Sequence, residues 1–458
     1  MKKHIFREYD IRGIYNEDFI DEDAYLIGKA FGTKVQDLNS DTVVVGYDNR
    51  ISSKSLEENL IRGLISTGVN VIRLGLVTTP MYFIALNKLK LTKGIMITAS
   101  HNPKEYNGFK MTYNGINNTF GADVKEIAEI IEKREYKEGI GTIKNYRIQN
   151  EYIDTVLNHI DLGNRKIKVV YDCGNGTTSV IADQIFNNLN VEAIPLFNTS
   201  DPTFPNHHPD PCEEENNTLL KQKVLECKAD IGIGFDGDGD RVGVVDEKGN
   251  FIETDKVMIV IWRYLFDKVK NKKGLFDVKC SKSLEDELIK LNIKPICSRT
   301  GASYTKRNTY EEDCPFGGEY SGHMYFRDRF NGHDDGIYNG LRLVEILSKS
   351  YKTFSELLEG INEYYNTPTI YYEVKEDYKN KMITDIIDYC IIKNYKYDTT
   401  DGVKVLFNDG TCLVRASNTS PKLTYRYEAT SKKRLNEIEE EFNKLLEDTK
   451  NKYESTYY

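Results

Sequence analysis

No stretch of this sequence approaches the ~18 consecutive apolar residues of a membrane span; the densest run, residues 257–262, is short. That excludes a membrane-crossing helix. Paired cysteines are missing too. The eight cysteines (173, 212, 227, 280, 297, 314, 390 and 412) are dispersed without a Cys-x-x-Cys pair, and in a chain of this size they read as reduced thiols in an intracellular setting. Basic charge is in deficit: 62 Lys and Arg face 71 Asp and Glu, a formal net charge of −9. This argues against general binding to nucleic acid or an anionic membrane surface, and it obliges any anionic substrate to find a local basic pocket. There is no Gly-x-Ser-x-Gly elbow for a serine hydrolase. Asp172-Cys-Gly-Asn-Gly176 lacks the full dinucleotide fingerprint and reads as a tight strand-to-helix turn. His207-His208, set among Pro202, Pro205, Pro209 and Pro211, has no spaced third ligand and reads as a rigid loop rather than a zinc site. Charge at Met1-Lys-Lys-His4 has no apolar segment behind it, so no export signal is expected and the expected location is the cytoplasm.

What is present is a globular composition, 39% hydrophobic and 29% charged over 458 residues, enough for several cores and three or four domains. A strand-like run, a helical pattern and a second strand recur. The first unit reads as a strand at 42–46, a helix over 55–67, a strand at 69–74 and another at 94–98. The second has a strand at 166–171 and a helix to 189; the third has strands at 274–278 and 295–301 around a helix over 283–291. From about residue 363 the texture changes to strands at 369–374, 403–407 and 423–429 followed by an amphipathic helix over 432–450. Alternation of this kind predicts α/β layering, with polar clusters at the C-terminal ends of strands, where open α/β sheets bind ligands.

One cluster dominates. Phe235-Asp-Gly-Asp-Gly-Asp-Arg241 sets Asp236, Asp238 and Asp240 at alternate positions after an apolar strand-like run. Hard carboxylate oxygens suit Mg²⁺ or Ca²⁺, and the intervening glycines allow a tight chain path that aims all three at one ion. An acidic turn is the plain alternative. An EF-hand loop is the sharper one, since Glu247 falls at its twelfth position, but Arg241 stands where that loop needs glycine and the flanks read as strands. Thr98-Ala-Ser-His-Asn-Pro103 follows a strand and is broken by an Asn-Pro turn, which displays Ser100 as a nucleophile or phosphoacceptor must be displayed; an incidental turn is the alternative. Lys110 is placed to return to that loop, to neutralise phosphate or transfer protons. Gly317-Gly-Glu-Tyr-Ser-Gly-His323 joins Glu319, a hydrogen-bonding carboxylate, with Ser321 and with His323, an imidazole able to act as acid or base. Arg415-Ala-Ser-Asn-Thr-Ser-Pro421 offers an arginine fork with Ser417, Asn418 and Thr419 as a phosphate cradle, or a turn closing a hairpin.

Together with Phe6-Arg-Glu-Tyr-Asp-Ile-Arg-Gly13 and Asn107-Gly-Phe-Lys110, these motifs in this order resemble the α-D-phosphohexomutases over nearly the whole chain, and within them the bacterial phosphomannomutase/phosphoglucomutase group. The resemblance implies an α/β protein of four domains around a central cleft, the first three similar units with mixed sheets and the fourth a distinct α+β domain. The expected divisions are residues 1–145 with a phosphoserine loop, 146–250 with the metal loop, 251–362 with a sugar-recognition loop and 363–458 with a phosphate-binding loop. It implies that Ser100 is the phosphoserine and that one Mg²⁺ is held by Asp236, Asp238, Asp240 and the Ser100 phosphate. Lys110 and His323 become the proton-handling residues, with Arg12 and Tyr9 lining the cleft. Arg241, Lys279, Glu319, Tyr320, Ser321 and His323 become substrate contacts, and Arg415, Ser417, Asn418 and Thr419 hold the phosphate that does not react. The implied activity interconverts hexose 6-phosphates and 1-phosphates of mannose and glucose through a hexose 1,6-bisphosphate intermediate, which also serves as activator. A phosphosugar is then the only partner expected and the chain a monomer. A phosphoglucosamine mutase with the same machinery and a non-catalytic sugar-phosphate-binding homologue are the alternatives. Two departures bear on them: Thr300-Gly301-Ala302 has alanine where the family has histidine, with Arg299 or Tyr304 as candidate replacements, and Tyr320 replaces a methionine. Asp334-Asp-Gly-Ile-Tyr338 leans toward the mannose/glucose group.

Overall fold

The run Thr-Val-Val-Val-Gly-Tyr forms the strand Thr42–Tyr47, whose inner residues are all buried. A strand apolar on both faces belongs inside a sheet covered on both sides. It pairs in parallel with Asn70–Leu76 and Gly94–Ile97, and Asn70–Leu76 pairs in parallel with Ile143–Asn145. On the other side Gly94–Ile97 meets Tyr106–Thr112 antiparallel, and that strand meets Ile11–Ile14 antiparallel. A second sheet repeats the arrangement with fewer strands. Lys168–Asp172 is parallel to Glu192–Leu196 and Ile231–Phe235, while Val242–Asp246 and Phe251–Ile252 extend it antiparallel. Lys273–Asp277 is flanked in parallel by Lys294–Ser298 and Phe316–Gly318. The last sheet is antiparallel throughout, ordered Tyr365–Asn366, Lys422–Ala429, Gly410–Ala416, Val403–Phe407, Lys396–Asp398, with Ile370–Glu373 also on Lys422–Ala429.

This computed structural model describes residues 1–115, 119–416 and 422–454. They form two compact units: Met1–Val257 with Ser321–Leu358, and Met258–Tyr320 with Glu359–Tyr458. The first holds the first two sheets and the helix Gly336–Ser348; the second holds the three parallel strands and the antiparallel sheet. In the second unit Glu376–Ile392 and Lys432–Glu454 supply Met382, Ile386, Leu435, Ile438 and Phe442 to one core with the antiparallel strands. The architecture is the expected α/β fold with mixed sheets and an antiparallel C-terminal sheet. Among the described residues no helix is long and apolar enough to cross a membrane. Several expected bounds move. The helix read at 55–67 is Ser53–Ile65, and the helix expected to reach 189 is a short 3-10 turn, Thr177–Val180, followed by Ala182–Phe186. The terminal helix runs on to Glu454, and Lys110 stands within the strand Tyr106–Thr112.

Helices Asp21–Asp37 and Ser53–Ile65 cross at two glycines, which bring their backbones together. A Cβ on Gly28 would lie 2.2 Å from the Leu60 carbonyl oxygen, and one on Gly63 would lie 2.1 Å from that of Tyr25. Gly63→Ala should force the pair apart at a cost of about 1–3 kcal/mol, read as a lowered thermal unfolding midpoint. A second test concerns Asp335, which caps the helix Gly336–Ser348 by accepting from the Tyr338 amide at 3.0 Å and also accepts from the Tyr152 hydroxyl. Burial pushes its carboxyl up to about 7. The protonated form therefore stabilises the fold at low pH, and this contribution is lost as pH rises from the unfolded value through 7. Relative to Asp335→Asn, the wild type should lose urea stability between pH 5 and pH 8; a difference independent of pH would contradict the assignment.

Candidate functional site

Two hairpin connections of the first unit meet. One links Gly94–Ile97 to its antiparallel partner Tyr106–Thr112 and carries Ser100; the other links Ile231–Phe235 to Val242–Asp246 and carries the three aspartates. The strands flanking the aspartates are as the apolar runs predict. Gly237 permits the approach, because a Cβ there would lie 2.5 Å from the Ser100 carbonyl oxygen, and Gly239 takes a left-handed φ of +81° that other residues rarely adopt. Ser100 is itself left-handed, at φ 51°, a strained backbone for a residue with a side chain. The strain is held by Arg50. Its guanidinium, 3% exposed, donates to the carbonyls of Ser100 at 2.8 Å, Asn102 at 2.6 Å, Pro103 at 2.6 Å and Tyr106 at 3.0 Å, and its Nε donates to Asp48. Burial lowers its proton affinity, which Asp48 partly restores. The Ser100 amide donates to Thr98 Oγ1 at 2.7 Å.

Ser100 Oγ then donates to Asp236 Oδ2 at 2.9 Å. Asp236, Asp238 and Asp240 are at most 1% exposed, and one oxygen of each lies within 4.8 Å of the others. Burial, and then the charges of Asp240 and Asp238, push the Asp236 carboxyl well above the usual carboxylate range. Asp238 also feels burial, but Lys110 at 2.7 Å and Thr79 Oγ1 at 2.7 Å hold it below that range. Lys110 Nζ reaches Asp240 Oδ2 at 2.6 Å as well, and although burial opposes its charge the two carboxylates keep it firmly protonated. Asp238 Oδ1 and Asp240 Oδ1 are buried with no hydrogen bond. Bare carboxylate oxygens in a buried set of three, beside the Ser100 hydroxyl, fit a hard divalent cation in donor type and number. The EF-hand alternative does not hold: Glu247 turns away and accepts from the Ser355 amide and hydroxyl at 3.2 and 2.5 Å.

Around this centre the first unit places Arg12, Arg241 and His323. Arg12 donates to Asn102 Oδ1 at 2.7 Å and pairs with Asp10; Tyr9, two residues before the strand Ile11–Ile14, is half-buried. Arg241 Nε donates to His323 Nε2 at 3.0 Å, so that nitrogen carries no proton, and its amide donates to Asp236 Oδ1 at 3.1 Å. His323 Nδ1 lies 2.8 Å from Asp334 Oδ2 and 3.6 Å from Asp240 Oδ1. Ser321, half-buried, accepts at its carbonyl from the Cys212 thiol at 3.1 Å.

In the second unit Glu319 is buried and accepts from the Gly301 amide at 2.6 Å. The Tyr320 amide donates to Asp277 Oδ1 at 2.9 Å, and Lys279 is half-buried on the following turn. Arg415 is held by Asp401 at 3.0 Å from Nε and 2.9 Å from a terminal nitrogen, and that carboxylate also accepts from the Thr300 amide. Ala302 opens the helix Ala302–Glu311, and the Arg299 guanidinium lies 4.1 Å over the Tyr304 ring. Ser417, Asn418 and Thr419 fall outside the described residues.

Sequence reasoning missed Arg50, Thr79, Asp334 and His101. His101 Nδ1 lies 3.4 Å from Ser100 Oγ, and burial followed by the charges of Arg241 and Arg12 keeps its ring neutral. A readable signal existed for one of them: Tyr47-Asp-Asn-Arg50 is a polar cluster at the C-terminal end of a predicted strand.

The comparisons agree with the geometry. Four family profiles match in succession: phosphoglucomutase/phosphomannomutase alpha/beta/alpha domain I at residues 3–138, domain II at 150–249, domain III at 253–364 and the C-terminal domain at 370–445. A phosphomannomutase/phosphoglucomutase of Pseudomonas syringae pv. tomato is 39% identical over 96% of this chain and 95% of its own length. A phosphoglucomutase of Neisseria meningitidis serogroup A is 36% identical over 98% of each. A crystal structure of a phosphoglucomutase/phosphomannomutase family protein from Burkholderia thailandensis superposes with a TM-score of 0.91 at 34% identity, covering 98% of each chain. By its four successive domains and its full-length similarity, this chain belongs to the phosphoglucomutase/phosphomannomutase family of enzymes.

Proposed function

We propose that the chain is a Mg²⁺-dependent phosphohexomutase that interconverts the 6- and 1-phosphates of mannose and glucose through a phosphoserine and a hexose 1,6-bisphosphate. The observation that carries the reading is Ser100 Oγ 2.9 Å from Asp236, inside a buried carboxylate set with bare oxygens and an adjoining lysine. Asp236, Asp238, Asp240 and the phosphate on Ser100 hold one Mg²⁺, which offsets negative charge on the transferring phosphoryl oxygens. The names of the relatives supply the two sugars.

In the forward half-reaction the bond from phosphorus to Ser100 Oγ breaks and a bond to the free sugar hydroxyl forms. Ser100 Oγ recovers a proton, which we assign to Lys110; metal on Asp238 and Asp240 would loosen their hold on its ammonium and so make it a better acid. As Arg241 turns from His323 Nε2 to the phosphoryl group, that nitrogen is freed to take the hydroxyl proton, and Asp334 beside Nδ1 stabilises the resulting imidazolium. Arg12 and Arg241 face the phosphoryl group, and Tyr9 lines the site. Glu319, Tyr320 and Ser321 read the sugar, Lys279 contacts it, and Arg415 with Ser417, Asn418 and Thr419 holds the phosphate that does not react. The bisphosphate then reorients, and its other phosphoryl group returns to Ser100. We assign these roles to four domains, residues 1–145, 146–250, 251–362 and 363–458.

Ser100→Ala should lower turnover of mannose 1-phosphate and glucose 1-phosphate by more than about a thousandfold, measured with Mg²⁺ and a bisphosphate activator; retained turnover would remove the phosphoserine role. Glucosamine 1-phosphate assayed in parallel decides the sugar, and dominant turnover of it would move the chain to the phosphoglucosamine branch. Chelation of divalent metal should abolish activity and Mg²⁺ should restore it, whereas activity indifferent to chelator would leave the carboxylate set without its proposed ligand.

A further inference from the structure

The turn after the strand Lys273–Asp277 leaves three consecutive carbonyls, of residues 278, 279 and 280, beyond the end of the sheet, and two buried cations from the C-terminal sheet cover them. Lys404 Nζ, on Val403–Phe407, donates to the Val278 carbonyl at 3.1 Å and the Cys280 carbonyl at 3.4 Å. Arg426, on Lys422–Ala429, donates to the Lys279 carbonyl at 2.9 Å, and its guanidinium carbon lies 4.4 Å over the Tyr320 ring. Each cation is 8% exposed. Glu428, two residues on and facing the same way along the strand, accepts from Ser281 Oγ and from the Lys282 amide at 2.9 Å. At the base of the turn Asp277 Oδ1 accepts from the Tyr320 amide, and Oδ2 accepts from Thr300 Oγ1 at 3.0 Å. Desolvating a lysine and an arginine costs free energy that neutral carbonyls recover only with good geometry. A core that merely had to be filled is better served by apolar side chains, so two cations spent on one turn point to a turn whose position matters.

We propose that Lys404 and Arg426 are positioning residues that hold Lys279 and Tyr320 in the geometry that recognises the phosphosugar. The proposal rests on the reading above, in which both residues touch substrate. Neither cation is required to meet the sugar; each acts through the turn. Arg426 does so twice, fixing the Lys279 backbone by a hydrogen bond and the Tyr320 ring by a cation–π contact, so it also bears on sugar preference. A guanidinium can do both at once because its donors lie in the plane and its face is free to stack.

The test is a double-mutant cycle on KM for mannose 1-phosphate and glucose 1-phosphate, with thermal unfolding followed in parallel. Arg426→Gln should raise KM by about tenfold or more, the scale of a lost charge-assisted hydrogen bond, with a smaller fall in kcat and a changed ratio between the two sugars. Lys279→Ala should raise KM as well, and Arg426→Gln added to it should raise KM by clearly less than it does alone, the remainder being what is lost through Tyr320. Independent, multiplying effects would overturn the proposal. So would a wild-type KM in Arg426→Gln beside a raised KM in Lys279→Ala, an outcome that leaves the reading of Lys279 intact. Wild-type KM in both single variants overturns that reading and the proposal with it. Should Arg426→Gln fail to fold, Arg426→Lys keeps the charge and one donor but not the planar stack. It should give an intermediate KM and an altered sugar ratio, and unchanged values of both would count against the proposal.

Discussion

Three carboxylates confined to one hairpin connection and withdrawn from water repel one another strongly, because screening is weak where the surroundings exclude solvent. One lysine bridging Asp238 and Asp240 offsets part of that charge, and Arg241, 3.9 Å from Asp236, offsets a little more. The remainder shows in Asp236, whose proton is held far more tightly than a carboxylic acid in water would hold it. A loop in this condition is a standing demand for positive charge. Its neighbours are arranged around the demand: the hydroxyls of Thr79 at a helix start, of Thr98 and of Ser100 all face the carboxylates. Ser100 must come close enough to share the charge centre, and the cost is a left-handed backbone secured by the four carbonyl bonds of Arg50.

The two sheets of the first unit meet this requirement by the same topological device. In each, a central parallel strand turns back into an antiparallel neighbour, and the connection carries Ser100 in one sheet and the three aspartates in the other. In the second unit the strand Phe316–Gly318, parallel to Lys273–Asp277, leads directly into Glu319 and Tyr320. A rigid strand end fixes where the connection starts, and the connection is free to vary in chemistry. Each half of the apparatus is thus held to its own sheet by backbone pairing, with buried ionic groups setting the final position of the loops.

The parts of this legible in the sequence are those whose cause is local. Alternating Asp and Gly after an apolar run marked out the buried carboxylate loop, and the strands on both sides excluded the EF-hand before Glu247 was seen bonded to Ser355. Ser100 on a connection and the change of texture near residue 363 were legible for the same reason. What escaped depends on contacts distant along the chain. Arg50 reads as a turn residue until its four carbonyl partners, some fifty residues away, are in place. Lys404 and Arg426 alternate with apolar residues in their strands, the ordinary pattern of a solvated face, yet both are buried.

The central claim is that Ser100 carries the phosphoryl group between the two ends of the sugar. Enzyme loaded at Ser100 with radiolabelled phosphate from a labelled hexose 1,6-bisphosphate would be mixed with unlabelled mannose 6-phosphate and quenched within a single turnover. The account predicts that label leaves Ser100 and appears in hexose bisphosphate at least as fast as kcat. Label that stays on the protein through many turnovers, or an enzyme that turns over without ever acquiring it, would contradict the account.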